Sequence, residues 1–146
     1  MQVLFRKGPG WFNGRYPWHA AGSLHINRNG YGYNTWQVCL VSQMPDVSWL
    51  EPGDVPRGFM APAIIPVGLW THVVLLFDGT SVALYVDANL NAAFPATRVL
   101  DDDSPVLFGA DRDTVEHVFF DGVLSDIRIY NRALDNAEIA QLSSPM

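Results

Sequence analysis

The sequence predicts an all-β chain: a two-sheet antiparallel sandwich with one short helix at its C-terminal end. Three observations carry this. Runs rich in β-branched and aromatic residues alternate apolar with polar at period 2. They are separated by Gly, Pro, Asn and Asp at the spacing of short strands and turns. Helical patterning is confined to the last dozen residues.

In chain order, Val3 to Phe5 reads as a short apolar strand leading into Arg6-Lys7-Gly8. Gly8 to Gly22 is a long irregular excursion, rich in Gly, Pro, Asn and large aromatics. Ser23 to Ile26 is a strand, Asn27 to Gly32 a turn region, and Thr35 to Ser42 a strand with Trp36, Val38 and Leu40 on one side. Met44 to Pro66 holds five prolines, so its strands should be short or at sheet edges, because proline cannot donate to a ladder. Thr71 to Phe77 and Val82 to Val86 form a hairpin around Asp78-Gly79, since Gly accepts positive φ without a steric penalty. Residues 87–91 are a further hairpin turn, Ala92 to Ser104 a connection, and Pro105 to Ala110 a short strand. Asp121-Gly122 supplies a turn for the same reason as Gly79, and Val123 to Tyr130 alternates as a closing strand. Asp135 and Glu138 then have capping-box spacing, with Ala137, Ile139, Ala140 and Leu142 as an apolar helix face.

At 146 residues, with 49% hydrophobic and 16% charged residues, the chain is one globular domain (1–146) with a real core. No internal repeat or low-complexity tract interrupts it. No apolar run reaches the roughly 18–20 residues that would cross a bilayer. The opening MQVLFRKGPG is too short in apolar residues for a signal peptide. Cys39 stands alone, so no internal disulfide forms, and its place in WQVCLVS suits a small buried hydrophobe. The net charge of −6 with a single Lys excludes a nucleic-acid binder, which needs clustered Lys and Arg. The first 50 residues are nevertheless basic, an asymmetry that would orient a partner or a second copy.

Three stretches resemble one family. FDGVLSDIRIYNRALDNAEIAQL (Phe120 to Leu142) is similar to the closing strand and helix of laminin-G-like, concanavalin A-like jelly-roll domains, which read roughly DEVRIYNRAL and then EIxxL. WTHVVLLFDGTSVALYVDANL (Trp70 to Leu90) resembles their central hairpin, and PVLFGA their PLYIGA-like strand. The resemblance implies a jelly-roll sandwich and an extracellular or virion-surface setting, but function only loosely. Family members carry two further strands ahead of the one that Val3 to Lys7 resembles, so their absence here implies an open sheet edge. A fragment, the Gly8 to Gly22 loop or a partner chain would each account for it, and the expectation taken forward is a partner chain, in a homo-oligomer or larger assembly.

Catalysis finds no support in the sequence. Retaining glucanases of this architecture need two carboxyls about 5–5.5 Å apart, placed at alternate strand positions. Glu51, Glu116 and Glu138 have no acidic partner at that spacing. There is no GxSxG elbow, and His19, His25, His72 and His117 are too scattered for a recognisable zinc site. The expectation is a non-enzyme without an obligate cofactor. Calcium is the weak alternative: Asp101, Asp103 and Asp111, with Asp126 of the closing strand, make an oxygen-rich corner of the kind hard cations prefer. Where the family carries an acidic pair, this chain has Ser125 before Asp126.

Aromatics remain as contact candidates. Trp11, Tyr16 and Trp18 lie beside Arg15 in the Gly/Pro loop, and Tyr31 and Tyr33 flank Gly32. Such a set stacks sugar rings, anchors a protein surface or roofs the core. The leading expectation is a lectin-like recognition or adhesion module contacting a glycan or protein surface. The alternative is a structural or assembly protein, such as a virion decoration or tail-fibre component.

Overall fold

The computed structural model describes residues 2–7, 36–52, 55–99, 106–110 and 119–144. Among these residues, eight strands form two antiparallel sheets. They are β1 (Gln2–Lys7), β2 (Trp36–Val41), β3 (Met44–Glu51), β4 (Val55–Met60), β5 (Val73–Phe77), β6 (Ser81–Val86), β7 (Asn89–Pro95) and β8 (Val106–Phe108). The five-stranded sheet runs β4-β3-β2-β1-β8 and the three-stranded sheet runs β5-β6-β7. One helix, α1 (Asn136–Ser143), follows.

Side-chain alternation builds the sandwich. Val38 and Leu40 of β2, Val47 and Trp49 of β3, and Phe59 of β4 point inward from the larger sheet. Val82, Leu84 and Val86 of β6 meet them, with Val73 and Leu75 of β5 packed alongside. A register shift in β1 between Val3 and Phe5 lets adjacent residues Leu4 and Phe5 both reach this core. Phe59 stacks on Phe94 of β7 with centroids 4.8 Å apart, which bridges the two layers.

Two hairpins turn without glycine. Ser42-Gln43 joins β2 to β3 with φ of 51° and 66°, and Asp87-Ala88 joins β6 to β7 with φ of 48° and 63°. Both centre two left-handed residues, the backbone that matches the twist of paired strands. The β5–β6 turn is the expected Asp78-Gly79, with Gly79 at φ 93°. Asp78 accepts from the Thr80 and Ser81 amides at 2.8 and 2.7 Å and from both hydroxyls. Those amides, followed by the Thr80 hydroxyl, hold its carboxyl down to about 2.

The capping box at the helix is complete. Asp135 accepts from the Glu138 amide at 2.8 Å and donates its own N–H to Glu138 at 2.9 Å. Arg132 adds a two-pronged ion pair to the same carboxylate. The Tyr85 hydroxyl donates to Asn136, tying the helix to β6. Of the expected apolar face, Ile139 is buried and Leu142 half-buried, while Ala137 and Ala140 are exposed.

Four expectations are corrected. Residues 121–135 contain no strand: Val123 to Tyr130 has no ladder partner among the described residues, and Asp126 at φ 52° breaks the alternation. Gly122 does not take positive φ; an added Cβ there would lie 2.6 Å from the Phe120 ring. β3 is an eight-residue interior strand despite Pro45, which sits at its second position. Ala92 to Pro95 belongs to β7 rather than to a connection. The expected strand at Ser23 to Ile26 lies outside the described residues.

Candidate functional site

Two faces of the sandwich carry unusual chemistry. The first lies on the larger sheet, away from the core. Gln37 and Cys39 of β2 sit opposite Ser48 and Asp46 of β3 in the ladder, and Gly58 of β4 extends the Gln37–Ser48 row. All four side chains are buried. This is a covered polar stripe, and Cys39 within it is the small buried residue its sequence context suggests. Asp46 and Glu51 belong to the same strand but lie an odd number of positions apart, so they point to opposite faces. Glu51 is occupied: it accepts from Arg57 Nε at 3.0 Å and from the Thr97 amide at 3.2 Å. Burial acts to raise the Glu51 pKa, but Arg57, the Thr97 N–H and the Trp49 side chain outweigh it and hold the carboxyl below its ordinary value.

The second face is a cleft of about 800 Å³ that opens the sandwich on one side. Its floor is the core itself, including Trp36, Trp49 and Val82. One wall is β5 with the preceding Leu69 to His72. The other is the segment from Val123 to Leu134. Both rims are apolar and exposed: Leu69 at 69% and Trp70 at 73% on one side, Val123 at 71% and Ile129 at 66% on the other. A well-packed sandwich would bury such residues, and a contiguous apolar strip of this kind marks a contact surface.

The backbone along the cleft is equally open. Among the described residues β5 is an edge strand, paired to β6 alone. Among the described residues, the segment from 121 to 134 makes no backbone–backbone hydrogen bond. β1 is not an open edge, because it is flanked by β2 and β8. At one end of the cleft, Thr71 Oγ1 and His72 Nδ1 are buried and meet no hydrogen-bond partner. Burial pushes the His72 imidazole below its ordinary pKa; Asp87 and Asp126 act against that, and Arg128 with it.

Of the contact and calcium candidates named from sequence, only Asp126 falls within the described residues. Both its carboxylate oxygens are taken by Arg128, at 2.8 and 3.0 Å. Trp11, Arg15, Tyr16, Trp18, Tyr31, Tyr33, Asp101, Asp103 and Asp111 all lie outside them. No group of three or more metal-ligating side chains occurs among the described residues. Sequence reasoning missed the two-walled cleft. Its signal was present in the alternation of Val123, Ile127 and Ile129, but that pattern encodes a buried face and does not say which strand will bury it.

Residues 11–140 match a laminin G family model described as the concanavalin A-like lectin/glucanases superfamily. The chain belongs to that superfamily. Among the described residues, two antiparallel sheets and a terminal helix fit the concanavalin A-like sandwich. Among solved structures, the chain is similar to an S-layer domain-containing protein from Clostridium thermocellum, at 19% identity and a TM-score of 0.48. The similarity covers 77% of this chain and 56% of that one. No curated protein matches significantly. No helix among the described residues is long and apolar enough to cross a membrane.

Proposed function

We propose that the chain is a non-catalytic recognition module that holds a polypeptide partner, in the manner of an adhesion or assembly component. The observation that carries this is the apolar cleft between β5 and the Val123 to Leu134 segment, whose rims leave Trp70, Val123 and Ile129 in water. Exposed aliphatic and aromatic rows of this kind are anchors for protein contact. A sugar site instead relies on hydroxyl-directed polar groups around a stacking ring. The non-catalytic part of the reading is supported by β3, where Asp46 and Glu51 face apart and Glu51 is held by Arg57 and Thr97.

A displayed random-peptide library and a glycan array, run on the same protein, test the reading. Enrichment of apolar-patterned peptides on the wild type and its loss in Ile127→Asp are expected. Glycan binding that survives Ile127→Asp but is lost in Trp18→Ala would replace this reading with a lectin.

A further inference from the structure

We draw no further inference here: the strongest candidate, the apolar cleft between β5 and the segment from Val123 to Leu134, belongs to the site already described, and nothing in the structure shows what covers it.

Discussion

The Glu51 carboxylate accepts a hydrogen bond from the Thr97 amide at 3.2 Å, joining the end of β3 to the chain leaving β7 across 46 residues. The same group holds Arg57 of β4, so one buried anion fastens parts of both sheets. Glu51→Gln keeps the shape and removes the charge. We expect a loss of about 1.5–3 kcal/mol, the range for hydrogen bonds to charged groups, read by urea unfolding. Because the folded carboxyl lies below its ordinary value, its contribution is full above the unfolded pKa. It fades as pH falls through the folded one. A wild type whose stability is flat on acidification, or a Glu51→Gln variant equal to it at neutral pH, would refute this role.

Gly58 of β4 pairs with Ser48 of β3. An added Cβ would lie 2.8 Å from the Val47 carbonyl oxygen, and a backbone atom in a paired strand cannot move aside. Gly58→Ala should therefore destabilise by about 1–3 kcal/mol, as overpacking does. The measurement is the urea midpoint at unchanged slope.

Ala88 is held at φ 63° in the β6–β7 turn. A left-handed alanine is strained, and glycine is not. Ala88→Gly should raise stability by about 1 kcal/mol and create the Asp-Gly pair that two-residue hairpins favour. No rise in melting temperature would mean that the turn is held by its neighbours rather than by its own geometry.

The helix depends on its cap. Asp135→Ala removes the acceptor of the Glu138 amide and should cost about 1 kcal/mol, seen as faster amide exchange in residues 136–139. Glu138 itself is drawn down to about 2, first by Arg132 and then by the Asp135 amide. Its contribution is present above its ordinary value of 4.5 and is lost as pH falls through about 2. Helix protection that stays unchanged from about pH 5 down to about pH 2 would contradict that.

His72 offers a direct probe of the cleft. Its imidazole should titrate below 6.5 by NMR, since burial disfavours the cation. The stability it confers is present above 6.5 and declines as pH falls from there through the folded value. A His72 titrating at or above 6.5 would place it in water.

Local chemistry is legible at several places where the signal lies within a few residues, though not at Gly122. The Asp135–Glu138 cap, the Asp78-Gly79 turn and the alternation of Val82 to Val86 all depend on neighbours in sequence, and all stand in the structure. The prolines of Met44 to Pro66 misled, because Pro45 at the start of β3 needs no ladder donor there. Val123 to Tyr130 misled for a different reason. Period-2 patterning specifies a face to be covered, whereas a strand also needs an adjacent strand to bond with, and that is a property of the assembled sheet. The contact aromatics from Trp11 to Tyr33 fall outside the described residues, so the site rests on residues that sequence reading had assigned to structure.

β1 is an interior strand of its sheet, with Phe5 opposite Phe108 in the ladder to β8. That neighbour is made about a hundred residues later, so closing this pair carries the loop-closure cost that makes high contact order slow. During synthesis, β1 must wait for about a hundred further residues to emerge before its second side is sheltered. A pause in synthesis between β1 and β8 would leave that side of β1 open to pairing with another chain.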